Sequence, residues 1–226
     1  ESQKLRPAFE IVDDNLVLDE SFRNEPSYLY ALSDSFRIKM SLVNSSRVLQ
    51  LVQAVRTGEL RARLDETMRM QTPVAVRDRI GLDDQCFKPP ATDEWRHAWK
   101  LTERLIHQMN HEVVEHGSKF AMAVVTSGIQ VTPDAERRRE YCEAVGVSDL
   151  SYADERLSQV GMNVGFPVVV LSEELRHYGE KYDLNLHGFP NTQPGEGHWN
   201  AIGHREAARV CAEQLMRSSR SEADEQ

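Results

Sequence analysis

Two histidines six residues apart, His198 and His204, stand in the stretch PGEGHWNAIGH at residues 194–204. An imidazole changes charge near neutral pH and can act as a general base if the backbone aims it at a substrate. Gly195 and Gly197 permit a tight or left-handed path around Glu196. Asn200 is a natural N-cap for a final helix. His198 is therefore expected on a loop, held by glycines on one side and a helix cap on the other, free to point into a cleft. His204 falls in the first helical turn and reads as structural. Glu196 is the carboxylate nearest in sequence to His198. It either orients the imidazole or stands as a solvated loop residue.

No other group matches this pattern. Ser127, in VVTSGIQ, follows an apolar run and precedes a glycine, but the full G-x-S-x-G turn is absent and a polar strand-end loop explains it. Ser172 precedes Glu173 and Glu174 and reads as a helix cap. His107 and His111 are four apart, yet Gln108 stands where a zinc protease carries glutamate. With His97 and His116 nearby, a histidine-rich polar face is the better reading. Trp95 and Trp99 share one helix face, as core aromatics usually do. There is no glycine-rich phosphate loop, so neither a cofactor nor a metal is expected.

The elements that must hold these residues follow from periodicity. AFEIVDDNLVLDESF reads as a hairpin turning at Asp13, Asp14 and Asn15. Residues 26–57 carry a helical pattern with a break near Asn44, Ser45 and Ser46, and Gly58 acts as a stop. Residues 59–92 lack a clear period and read as an insertion or excursion with a short helix near residues 60–69. Thr92 caps the next helix, which Gly117 ends. KFAMAVV (119–125) and FPVVVL (166–171) are short buried strands, and helices are expected near residues 135–145, 153–162, 172–182 and 200–216. This order reads as crossovers onto a parallel sheet, an α/β fold. We expect a single domain over residues 1–217 and a disordered acidic tail over residues 218–226. Sites in such a sheet gather beyond the carboxyl ends of the strands. Only two parallel strands are evident, which predicts an exposed sheet edge, an incomplete core and aggregation of the isolated chain.

The 226 residues carry 27 basic and 36 acidic side chains, a balance of −9. Phosphate neutralisation needs a basic footprint, so a nucleic-acid partner is not expected. No apolar run approaches the roughly 18 residues of a membrane span. Cys86, Cys142 and Cys211 are too few and too scattered for a disulfide framework. Oligomeric state is not encoded in any pattern here.

GHWNAIGHREAARVCAEQL resembles the C-terminal block of the SGNH hydrolases, the GDSL-like esterases and lipases. RPAFEIVDDNLVLDESF, FAMAVV with TSGIQV, LSQVGMNVGFPVVVLSEEL and HGFPNTQPGEGHWN are similar, in the same order, to segments of one bacterial branch. The resemblance implies a three-layer αβα sandwich that hydrolyses or transfers acyl esters, with O-acyl groups, O-acetyl included, of a saccharide or small molecule as the expected substrate. It also implies an extracytoplasmic or cell-envelope location. In that family a serine in Gly-Asp-Ser attacks, a histidine takes its proton, and a serine amide, a glycine amide and an asparagine hold the oxyanion. The histidine maps onto His198. Neither Gly-Asp-Ser nor Gly-x-Asn-Asp occurs in these residues, and Gly195 stands where the usual aspartate lies, leaving Glu196 as the acid. Both missing blocks would lie upstream, so the chain is expected to be the C-terminal part of a longer enzyme. The alternative is a carbohydrate-binding or interaction module on the same fold.

Overall fold

The structure is a computed structural model that describes residues 7–71, 83–189 and 194–224, with side chains described up to residues 59 and 218 in the helices that reach residues 71 and 224. The chain divides into two compact units, Glu1–Arg79 and Ile80–Gln226.

In the first unit β1 (Ala8–Val12) and β2 (Asn15–Asp19) pair antiparallel, with Phe9 opposite Leu18 and Val12 opposite Asn15. Asp13 and Asp14 form the two-residue turn at φ 49° and 64°. Positive φ at both positions is the turn whose twist matches paired strands, and aspartate tolerates it. A 3-10 turn at Ser21–Asn24 buries Phe22 against the edge of Tyr28. Then come α1 (Pro26–Leu32), α2 (Asp34–Ser45) and α3 (Arg47–Gln71). Proline opens α1 where no amide donor is needed, and the Ser33 hydroxyl caps α2 by accepting from the Phe36 amide at 3.2 Å. The expected break is present: Ser46 is extended, at φ −130°, ψ 118°. Gly58 stops nothing, because α3 runs through it for another thirteen residues. A glycine costs a helix about 1 kcal/mol, and the leucine, arginine, alanine and glutamate residues after it favour continuation. Neither α1 nor α2 buries any residue, and Leu32, Ile38, Leu42 and Val48 are more than half exposed.

The second unit is mixed α/β, mostly helical, around a small parallel sheet. After a 3-10 turn at Asp83–Phe87, α4 (Asp93–Glu115) begins at Thr92, whose hydroxyl accepts from the Trp95 amide at 3.4 Å. Gly117, at φ 73°, ends the run. β3 (Met122–Val124) and β4 (Val168–Val170) pair in parallel and are shorter than the apolar runs that announce them. Between them lie α5 (Gly128–Val131), α6 (Ala135–Val145) and α7 (Tyr152–Val164), and after them α8 (Ser172–Tyr182) and α9 (Ala201–Asp224). The backbone of α9 carries on through most of the tail expected to be disordered. Arg209 pairs with Glu213 at 2.9 Å along its face, the four-residue spacing that supports a helix. Residues 225–226 of that tail lie outside the described residues.

Alternate residues of β4 serve two cores. Val169 packs with Val131, Leu171, Leu175, Leu186, Ala207 and Val210. Val168 packs with Ile106, Val160 and Phe166, beside Met122 and Phe120. This is the two-sided burial that makes a parallel strand a continuous apolar run. Among the described residues the sheet has only these two strands, so each keeps one edge without a strand beside it. Trp99 is buried under the Arg156 guanidinium, 4.7 Å from its ring centre, and edge-on to Tyr152, so it is a core aromatic. His111 stands 3.3 Å from Glu115, and His116 Nδ1 donates to the Glu112 carbonyl at 2.7 Å, on the solvent side of α4.

Candidate functional site

The carboxyl end of β3 leads through Val125, Thr126 and Ser127 into α5. Gln130, buried, fastens this turn: its Oε1 accepts from the Ser127 amide at 2.8 Å, and its Nε2 donates to the Leu150 carbonyl at 3.1 Å. The Ser127 hydroxyl also points to Gln130 Oε1, at 3.4 Å, so this serine is bound into the turn. The segment bearing His198 packs against the same strand end. Leu186, His187 and Gly188 pair with it through backbone hydrogen bonds. Gly195 donates to the His187 carbonyl at 3.0 Å, Gly188 to the His198 carbonyl at 2.9 Å, and Asn200 to the Leu186 carbonyl at 2.9 Å. His187 and Trp199 form an antiparallel bridge.

Both glycines do what their positions suggested: Gly195 has φ 81° and Gly197 φ 77°. These angles cost a side-chain-bearing residue about 1 kcal/mol or more. Asn200 caps α9, its Oδ1 accepting from the Ile202 and Gly203 amides at 3.0 Å each. Its Nδ2 donates to the Asn185 carbonyl at 2.7 Å. A loop that accepts left-handed backbone, clamped at three amides and closed by a cap, therefore presents His198. The ring of His198 is exposed and makes no hydrogen bond among the described residues. His204 sits in the first turn of α9, edge-on to Trp199 with centroids 5.5 Å apart.

Glu196 and His198 are not brought together by any hydrogen bond or ion pair among the described residues. The Glu196 carboxylate lies 3.4 Å from Arg137 Nη2, and both side chains are about half exposed. Such a pair contributes at most about 1 kcal/mol. A cleft of about 670 Å³ opens beside them. Val124, Thr126, Ser127, Gly195, Glu196 and Gly197 form one side, while Phe87, Tyr141 and Asp154 contribute to the rest. A second hollow of about 460 Å³ lies along α6, but its arginines are largely committed. Arg138 binds the Thr132 carbonyl and Glu180, and Arg139 binds Glu136 and Glu143.

Two buried polar groups were not marked by any spacing. His187 is 4% exposed, with Nδ1 2.8 Å from the Gly197 carbonyl and Nε2 3.2 Å from Thr126 Oγ1. Burial holds its pKa below the ordinary histidine value, the Gly197 hydrogen bond opposes this, and His198 nearby adds to the lowering. Asp154 is 6% exposed, and burial pushes its carboxyl pKa above the usual aspartate value. The Ser172 hydroxyl donates to it at 2.6 Å, which opposes the rise. Ser172 thus corrects the cap reading. It is the first residue of α8, Leu171 is the N-cap, and the hydroxyl goes to the buried carboxyl instead of the helix end. No group of three or more His, Cys, Asp or Glu suited to a metal occurs among the described residues.

Comparison with known proteins yields no matching family model, no matching curated protein and no matching solved structure.

Proposed function

We propose that this chain is the C-terminal part of an SGNH-type acyl ester hydrolase on a three-layer αβα sandwich, with His198 as general base. Its substrate class is an O-acyl ester, O-acetyl included, of a saccharide or small molecule. One observation carries the reading: the loop that presents His198 is seated against the carboxyl end of β3, beside a cleft, where catalytic groups of parallel sheets gather. The alternation of β4 between two helix-bearing cores supports the sandwich. His198 would take the proton of an attacking serine and return it to the leaving alcohol. That serine, and the asparagine that would hold the oxyanion, belong to a segment outside these residues, since neither motif occurs here. Glu196, whose carboxylate lies by Arg137, would orient the imidazole through its other oxygen.

The test is the natural full-length protein. Its upstream sequence should supply Gly-Asp-Ser, and a fluorophosphonate should label that serine. His198→Asn should lower kcat on p-nitrophenyl acetate by ~10³-fold or more, as loss of a triad base does. A full-length protein that is neither labelled nor hydrolytic would sink the reading. The pairing of Glu196 with Arg137 favours one alternative, a carbohydrate-binding or interaction module. Saccharide binding without hydrolysis would identify it.

A further inference from the structure

With a neutral ring, the donors and acceptors around His187 can be assigned in only one way. A carbonyl oxygen can only accept, so the proton between His187 and Gly197 sits on Nδ1. The ring is buried, and in its neutral form Nε2 is left as an acceptor to which the Thr126 hydroxyl donates. Thr126 Oγ1 in turn accepts from Trp199 Nε1 at 3.0 Å, because an indole nitrogen can only donate. A directed chain therefore runs from Trp199 to Thr126 to His187 to the carbonyl of Gly197, the residue immediately before His198. It links the end of β3 to the loop. A proton added at Nε2 would turn that nitrogen into a donor and reverse its bond with Thr126.

The loop needs such a tie. Backbone bonds hold it at Gly195, His198 and Asn200, while Gly197 carries the greatest conformational freedom next to the exposed imidazole. Its carbonyl is the point that the backbone clamps leave to a side chain.

We propose that His187 is a positioning residue: through the Gly197 carbonyl it fixes the backbone that presents His198, and Thr126 anchors it to the end of β3. The inference rests on His198 being the base. A fixed hydrogen bond to the backbone beside His198 is how a second histidine can position the first without touching substrate.

Two substitutions in the natural full-length protein separate the bonds. In His187→Asn the amide nitrogen falls near Nδ1 and keeps the bond to Gly197. In His187→Gln the amide reaches toward Nε2 and Thr126 instead. Nitrogen-15 spectra of the wild type at neutral pH should show His187 as the neutral Nδ1–H tautomer. Amide exchange at Gly195 and Asn200 should stay near wild type in His187→Asn and rise about tenfold or more in His187→Gln, the signature of local opening. On p-nitrophenyl acetate, His187→Gln should lose about 100-fold in kcat with little change in KM, while His187→Asn keeps most of it. Equal behaviour of the two variants, or an Nε2–H tautomer in the wild type, would overturn the proposal. If the wild type hydrolyses no ester, the esterase reading fails, yet the tautomer and the exchange rates still decide the positioning. Should His187→Gln not fold, Thr126→Val removes the anchor and is read by the same exchange, with unchanged protection counting against us.

Discussion

Gly128 opens α5, and the carbonyl of Gly195 lies directly against it. A Cβ at residue 128 would meet that oxygen at 1.8 Å, the Gly195 carbonyl carbon at 2.9 Å and His187 Cβ at 3.4 Å. Ordinary contact begins at 3.4 Å, so Gly128→Ala must open the gap by about 1.6 Å, and backbone rather than a flexible side chain has to move. Because Gly128 does not have positive φ, the substitution adds no dihedral strain and isolates the close approach. Overpacking of this kind costs about 1–3 kcal/mol. The gain from removing a glycine offsets about 0.5–1 kcal/mol. The expected result is a Tm lowered by up to about 10 °C. The loop that carries His198 shifts by more than an ångström, and a misplacement of about 1 Å can cost about 100-fold in rate. Thermal unfolding of the full-length protein measures the first effect, and kcat on p-nitrophenyl acetate with amide exchange at Gly195 the second. Wild-type Tm together with wild-type protection of Gly195 would refute the claim that residue 128 and the loop are in van der Waals contact.

Gly58 is the converse case, with nothing within 4 Å of a Cβ inside α3. Gly58→Ala should stabilise by about 0.5–1 kcal/mol, and a lower Tm would show that α3 does not pass through this residue. Asp154→Asn tests the buried carboxyl. A folded pKa raised above the unfolded value favours folding below the unfolded pKa and loses that contribution as pH rises through the folded pKa. The substitution should therefore raise Tm at pH 7, with the gain shrinking toward pH 4. An equal loss at both pH values would place the importance of Asp154 in its bond from Ser172.

Local chemistry was readable wherever the controlling interaction spans a few residues. The Asp13-Asp14 turn, the Thr92 and Asn200 caps, the break at Ser46 and the left-handed path at Gly195 and Gly197 each follow from side-chain reach or allowed dihedrals near one point of the chain. Gly58 was misread because a stop depends on whether the following residues leave the helix, and those after it do not. Ser172 was misread for a related reason: a hydroxyl chooses between a helix end and a buried carboxyl eighteen residues away, and only folding brings the carboxyl there.

The sequence by itself therefore determined the α/β order, the hairpin and the loop that offers His198, since each depends on periodicity or on backbone freedom at named residues. The tertiary structure alone decided that Glu196 turns to Arg137, fifty-nine positions away in sequence. It also decided that Thr126, His187 and Trp199 converge behind the loop, with Thr126 and Trp199 seventy-three positions apart. Hydrogen bonds over such separations leave no period in the chain, because they form only after the β3 end and the loop have been packed together.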